Sequence, residues 1–269
     1  MYKTIEKAIE MLNCFAGDQC ILSLGEICKK TGIEKSTASR ILSTLKKHGC
    51  LEKEDRRHGF YRIGYRIHFW NTCYDKQDNL LKLAKPVMKR LRDECGEAIS
   101  LYTIEGYRRI GIAKIESIHE IGRVFPLGQY LPMHAGASGR VLLAFLPIGK
   151  KTAILKHLKL EQYTPNTICT RDKLEESMAD IQEKGYGISL GEREEGAFSV
   201  TAPIKDGSGF AIASVTISGP IFRLNKNSTK KYIQLVTKAA CDISKRLGFL
   251  DNDLKLPNVR ILENNKQKG

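Results

Sequence analysis

The sequence predicts an α+β protein of two domains, a small helical one followed by a larger one with a mainly antiparallel sheet. Three observations carry that prediction. At 269 residues the chain exceeds one average domain. Up to Gly49 its apolar residues recur at the helical repeat. From Glu97 onward, runs of strand character separated by glycine turns alternate with helical stretches, and one long helix closes the series.

In order along the chain, Ile5, Ala8, Ile9, Leu12, Phe15 and Ala16 make a first helical stripe, and a loop is expected around "AGDQCIL". Ser23 and Glu26 then have capping-box spacing, Ser23 as N-cap and Glu26 reaching back. Leu24, Ile27 and Cys28 give this short helix its buried face, and Gly32 suits the left-handed turn that ends it. The next stretch, "GIEKSTASRILSTLKKHG", sets Ala38, Ile41, Leu42 and Leu45 on one stripe. Opposite them fall Ser36, Arg40, Ser43 and Lys47, with Ser39 and Thr44 on the flanks. Its one acid, Glu34, stands in the first turn, where a carboxylate suits the helix dipole. "CLEKE" and "FYRIG" follow as a hairpin with Arg56, Arg57 and His58 at its tip.

Three helices with a helix–turn–helix inside, then a basic-tipped hairpin, make a winged helix–turn–helix over residues 1–65. The partner this predicts is double-stranded DNA. The second helix of such a motif enters a major groove. Arg40 would fork onto a guanine, and Ser36, Thr37, Ser39, Ser43 and Thr44 would meet bases or nearby phosphates. Lys35, Lys46 and Lys47 read as phosphate ligands, and Arg56 and Arg57 as wing contacts. Any one of these positions also reads as a plain solvated side chain; it is their coincidence with capping box, turn glycine and stripe that favours the motif.

Charge placement agrees. The chain carries a net +14, and between Lys29 and Arg66 eleven Lys and Arg face only four acids, so half the excess lies in about one-seventh of the length. Such clustering favours polyanions. The eight cysteines are scattered without a C-x-x-C pair, as expected of free thiols in a reducing compartment. A zinc site drawn from Cys20, Cys28, His48, Cys50 and His58 lacks finger spacing, so no metal is expected. No apolar run reaches the ~18 residues of a membrane span, and "MYKTIEKAIEMLNCF" lacks the apolar core of a secretion signal. A cytoplasmic protein with no membrane contact is expected.

After the hairpin, residues 66–79, around Phe69 and Trp70, read as a linker helix, and residues 80–250 as the second domain. Leu80, Leu81, Leu83, Ala84, Val87, Met88 and Leu91 form a stripe interrupted by Pro86, a candidate kink. "EAISLYTIEG" and "YRRIGIAKIES" read as strands. The glycine-rich "LPMHAGASGRVLLAFLP" leads to helices near 149–158 and 170–184, and "GYGISL", "AFSVTAPI" and "GFAIASVTISG" as strands again. A helix over 226–247 closes the domain, and residues 251–269 form a polar tail.

Over roughly residues 3–250 the chain resembles the IclR family of transcriptional regulators, on three motifs: "KSTASRILSTLKKHGCLE", "LPMHAGASGRVLLAF" and "EEGAFSVTAPIKDGSGFAIASVTISGP". The resemblance implies a GAF-like C-terminal domain that binds a small metabolite. It also implies a homo-oligomer, dimer or dimer of dimers, on a palindromic operator, most often as a repressor. Carried over residue by residue, the family's effector pocket falls on Gly136, Ala137 and Ser138, beside Gly139, and on Ser189, Ser199, Thr216 and Ser218. Independently, a helix opened by small residues offers free N–H groups to a carboxylate. Where family members often carry an acid this chain has Ser189, and where they often carry a cysteine it has Ser199. A hydroxyl-rich pocket suits a small carboxylate effector such as a sugar acid or keto acid rather than an aromatic one. Thr216 and Ser218 equally read as interior hydroxyls of a strand, and His134 as a packed or capping histidine.

A second reading keeps the DNA-binding domain but makes the C-terminal domain an oligomerisation module alone. An enzyme is the remote reading. "GASGR" lacks the G-x-S-x-G spacing, and neither a P-loop nor H-E-x-x-H occurs, so no catalytic residue and no cofactor are assigned. "GEREEG" and "KLEESMADIQEK" read as surface charge.

Overall fold

The N-terminal unit grows around one small apolar core. In the computed structural model, which describes residues 3–15, 20–54, 59–70, 79–122 and 127–249, α1 (Lys3–Asn13) buries Met11 against Phe15, Leu22 and Ile27. β1 (Ile21–Ser23) leads directly into α2 (Leu24–Thr31). The capping box is formed: Ser23 Oγ accepts the Glu26 N–H at 3.3 Å, and Glu26 Oε2 accepts the Ser23 N–H at 2.7 Å. Gly32, at φ 68° and ψ 8°, ends α2 in the left-handed region, and its N–H donates to the Cys28 carbonyl. That turn lets α3 (Lys35–Lys47) cross back with Ala38, Ile41 and Leu42 on the core.

β2 (Leu51–Lys53) and β3 (Phe60–Ile63) form the antiparallel hairpin; the expected tip, Arg56, Arg57 and His58, lies outside the described residues. The stretch expected as a loop instead contributes β1, which pairs with the free edge of β3 (Ile21 opposite Arg62, Ser23 opposite Phe60). The wing is therefore a three-stranded sheet of order β1-β3-β2. Three residues are too few to show period-2 alternation, so partner pairing alone defines this strand. A Cβ on Gly64 would lie 2.2 Å from the Gly49 carbonyl oxygen, so the chain leaving the wing can pass there only as glycine. A helix over 65–70 (α4) follows.

The chain divides at Asn79 and Leu80 into two compact units. The second opens with α5 (Asn79–Cys95), which runs on through Pro86. β4 (Ala98–Glu105) and β5 (Arg108–Ile115) pair across a turn at Gly106, and β6 (Tyr130–Leu131) adds to β5. Three helices come next: α6 (Ala137–Ala144), α7 (Ile148–His157) and α8 (Arg171–Lys184). β7 (Gly187–Leu190), β8 (Ala197–Lys205) and β9 (Ala211–Pro220) return to the sheet, and a 3-10 turn (Ile221–Arg223) leads into α9 (Lys226–Arg246). All pairings are antiparallel, in the order β6-β5-β4-β9-β8-β7.

The two faces of this sheet differ in chemistry. One presents Ile99, Leu101, Val200, Ala202, Val215 and Ile217 to α5 and α9, forming the main core. The register sets Ser199 beside Ser218, Thr201 beside Thr216 and Ser100 beside Thr216, which places these hydroxyls together on the opposite face. That face is covered too. α6 packs across β8 and β9, and Val141, Leu142 and Leu143 join a second apolar cluster with α7 and α8. The hydroxyls are buried, and one pair bonds across the strands: the Thr201 and Thr216 Oγ1 atoms lie 2.9 Å apart.

Candidate functional site

In the N-terminal unit the candidate surface is the outer face of α3. Lys35, Ser36, Ser39, Arg40, Ser43, Thr44 and Lys47 are exposed and Thr37 half-exposed, while Ala38, Ile41 and Leu42 face inward. Two details narrow the expectation. Glu34 is the N-cap of α3, and its carboxylate accepts the N–H groups of Ser36 (3.0 Å) and Thr37 (3.1 Å) and the Ser36 hydroxyl. These bonds, the Ser36 hydroxyl first among them, hold the Glu34 carboxyl well below its ordinary range, at about 2. Thr44 Oγ1 donates back to the Arg40 carbonyl at 3.0 Å. The side chains projecting beyond this local bonding are thus led by Arg40, with Lys35 and Lys47 toward the two ends of the helix.

In the C-terminal unit a cavity lies between the start of α6 and the hydroxyl face of the sheet. Five of the seven expected effector residues line it: Gly136, Ser138, Ser189, Ser199 and Thr216. Ala137 and Ser218 are not among its lining residues. Ala137 is fully buried in the first turn of α6, and Ser218 lies two cross-strand pairs beyond Thr216, opposite Ala98. The cavity leaves about 20 Å³ to the centre of a water molecule, roughly room for one.

The helix terminus expected to be open to a ligand is partly filled by the protein itself. Gly136, at φ 99°, donates its N–H to Glu192 Oε2 at 2.9 Å, and Glu192 Oε1 pairs with Arg140 Nη2. Arg140 also donates to the Ile188 carbonyl at 2.9 Å and to Ser177 Oγ. Burial pushes the Arg140 guanidinium below its ordinary value, and the Glu192 carboxylate opposes that shift. "GEREEG" is therefore not surface charge throughout, for Glu192 is 8% exposed. The glycine after Ser138 answers a packing need: a Cβ on Gly139 would come within 2.2 Å of the Met133 carbonyl oxygen.

Arg109, absent from the sequence-derived site, also lines the cavity and is 4% exposed. Its Nη1 donates to Ser138 Oγ and its Nη2 to the Ala135 carbonyl at 2.7 Å, while its Cζ sits 5.4 Å from the centre of the Tyr102 ring. A register shift places it there. Leu101 pairs with Ala113 but the next residue, Tyr102, pairs with Gly111, so β5 carries an extra residue at Ile112. Beyond that shift Arg109 lies opposite Ile104, on the α6 side, although simple alternation would put it on the face of Ala113. One signal was readable: an arginine in the same phase as Gly111 and Ala113 is a charge in a buried register.

His134 is fully buried, with Nε2 bonded to the Glu161 carbonyl oxygen at 2.8 Å, and burial lowers its pKa. This is a packed histidine. Among the described residues no group of three His, Cys, Asp or Glu side chains is placed to hold a metal ion, and no helix is long and apolar enough to cross a membrane.

Known proteins share this architecture. Residues 4–55 match the family model described as the IclR helix-turn-helix domain, and residues 73–245 that of the bacterial transcriptional regulator IclR C-terminal region. The HTH-type transcriptional regulator KipR of Bacillus subtilis is 30% identical over 248 residues, 92% of this chain and 98% of that protein. The transcriptional repressor IclR of Escherichia coli is 26% identical over 91% of this chain and 90% of its own length. The crystal structure of the Thermotoga maritima IclR aligns at a TM-score of 0.77 with 27% identity, covering 93% of this chain and all of that one. An IclR homologue from Microbacterium hydrocarbonoxydans, 22% identical with a TM-score of 0.77 over 91% of this chain and 98% of its own, was solved as a complex with 4-hydroxybenzoate. With both domain models matched in order along one chain, this protein belongs to the IclR family of transcriptional regulators and is not an enzyme.

Proposed function

We propose that this regulator is a cytoplasmic repressor that binds a palindromic operator as a homo-oligomer, dimer or dimer of dimers, and that a small organic acid in the α6 cavity controls its affinity. Lys35, Ser36, Thr37, Ser39, Arg40, Ser43, Thr44 and Lys47 face the DNA, joined by Arg56 and Arg57. Residues 66–79 link the DNA-binding part to the effector domain. Two winged domains on one dimer must match half-sites spaced by whole turns, about 34 Å each. An acid bound more tightly by one arrangement than the other shifts operator affinity by that difference alone. The hydroxyls of Ser138, Ser189, Ser199 and Thr216 in the lining favour a sugar acid or keto acid over an aromatic acid.

The observation that carries this reading is a partly open cavity walled by Arg109, Ser138, Ser189, Ser199 and Thr216, with the carboxylates of Glu192 and Glu194 also in its lining. Operator binding followed by fluorescence anisotropy at fixed salt, with and without such acids, tests it. A displaced binding curve supports effector control; a panel of acids in which only aromatic ones act would overturn the chemical class. The cavity's small volume favours the rival in which the C-terminal domain only oligomerises. Thermal melts decide between them, since a ligand at a hundredfold its Kd stabilises by about 2.7 kcal/mol.

A further inference from the structure

The apolar face of the C-terminal sheet is covered by α5 and α9, which share its core. Their outward residues are strongly one-signed. Together the two helices hold eleven Lys and Arg against three acids, and α5 has no acid before Asp93. Lys82, Lys85 and Lys89 stand exposed on α5 at the i, i+3, i+7 spacing of one helical face. On α9, Lys231, Lys238 and Lys245 recur at heptad spacing and are exposed as well, with the half-buried Asp242 between the last two. Arg92 is paired with Asp93 at 2.7 Å. Among the described residues Lys82, Lys89, Lys231, Lys238 and Lys245 make no ion pair. An ordinary solvated helix looks different. α8, packed with α6 on the other side, sets three basic residues against five acids and knits them at i, i+4: Arg171 to Glu175 at 2.6 Å and Lys184 to Asp180 at 2.5 Å.

We infer that the α5–α9 layer is a second contact surface for duplex DNA, one that binds phosphates without regard to sequence. This surface is additional to that of α3 and does not depend on what α3 reads. Lysines seven residues apart on a helix stand about 10 Å apart, about one Debye length at 0.1 M salt, so their potentials overlap. The stripe from Lys231 to Lys245 runs about 21 Å, the rise of about six base pairs. Eight of the eleven cations are lysines, which meet phosphates as point charges, whereas base reading favours the arginine fork. Other occupants suit the face less. Among the described residues no large apolar side chain of α5 or α9 is exposed, so nothing there anchors in a bilayer or packs on an apolar protein surface. A second copy of the chain docked here about a twofold axis would set like charges together. The helix-turn-helix domain already brings duplex to the chain, and tethering raises its local concentration at any other basic surface of the same molecule.

The test is fluorescence anisotropy of the full-length protein over a range of salt, on two labelled duplexes several helical turns long: one of mixed sequence and one taken from upstream of its own gene. Two variants matched in charge are compared with the natural chain. The first combines Lys82→Gln, Lys89→Gln, Lys231→Gln and Lys238→Gln. The second combines Lys150→Gln, Lys156→Gln, Lys159→Gln and Lys173→Gln, all exposed and all outside α5 and α9. The first should lower the magnitude of the salt slope by about two or more and weaken both duplexes alike. The preference between the duplexes should stay that of the natural chain, which separates this surface from α3, where Arg40→Ala alters the preference. The second variant should keep the natural slope. Melting of each variant reports whether it folds; should the fourfold change prevent folding, Lys231→Gln with Lys238→Gln alone should lower the slope by about one or more. A folded first variant with an unchanged slope overturns the inference and leaves an acidic protein as the occupant of the layer. Equal losses in both fourfold variants overturn it too, since net charge and not this surface would then set the affinity.

Discussion

The outer face of α3 and the inner face of the C-terminal sheet are built from the same residue types, short hydroxyls and arginines, yet their surroundings are opposite. On α3, Ser39, Arg40, Ser43 and Thr44 stand in solvent. On the sheet and α6, Ser199, Thr201, Ser214, Thr216, Arg109 and Arg140 are buried. Exposed polar groups exchange water for a ligand at little net cost. Buried ones must be bonded where they stand, or desolvation goes uncompensated. Hence α3 suits a large partner that brings its own phosphates, whereas the sheet face relies on internal bonds such as Thr201 to Thr216 and Arg140 to Glu192, and leaves the buried Ser214 hydroxyl without a partner among the described residues.

The sharpest way to break that contrast is Glu192→Ala. It leaves Arg140 charged, buried and without its carboxylate, and should lower stability by about 3–5 kcal/mol, read as a fall in the urea midpoint at constant m. A change below 1 kcal/mol would mean that the pair is not buried in solution. Next in size, Arg40→Ala should cost about 1–3 kcal/mol of discrimination at one operator position while stability stays the same. Full affinity with full sequence preference would remove α3 as the reading helix. Lys47→Ala should weaken all DNA sequences alike and lower the magnitude of the salt slope by about one.

The smallest effect separates capping from DNA contact. Because the Glu34 carboxyl is held at about 2 in the folded chain, below its ordinary 4.5, its contribution is complete above pH 4.5 and disappears as pH falls toward 2. Glu34→Gln should therefore lower Tm slightly at pH 7 and flatten the acid-side loss of Tm in that window, so that the two chains converge as pH falls toward 2. An unaltered acid profile would show that the cap does not persist in solution.

Legibility followed the same division. The face of α3 could be read because the helical repeat separates Ala38, Ile41 and Leu42 from Ser36, Arg40 and Ser43 without reference to anything distant, and Ser23, Glu26 and Gly32 mark the boundaries with local bonds. The C-terminal strands were legible as strands, but their polar phase was ambiguous. Alternation in "AFSVTAPI" usually signals one solvated face; here both faces are covered. β1 escaped notice because its existence depends on the edge of β3, forty residues away.

Sequence alone thus determined α2, α3, α8 and α9, the β2–β3 hairpin and the glycines that open α6, since each depends on residues close by in the chain. Tertiary structure decided what the polar residues face. The extra residue opposite Tyr102 turned Arg109 toward α6, and the pairing of β7 with β8 carried Glu192 to Gly136 and Arg140. A register and a long-range ion pair are relations between distant segments, fixed only when packing brings those segments together, and no local pattern encodes them.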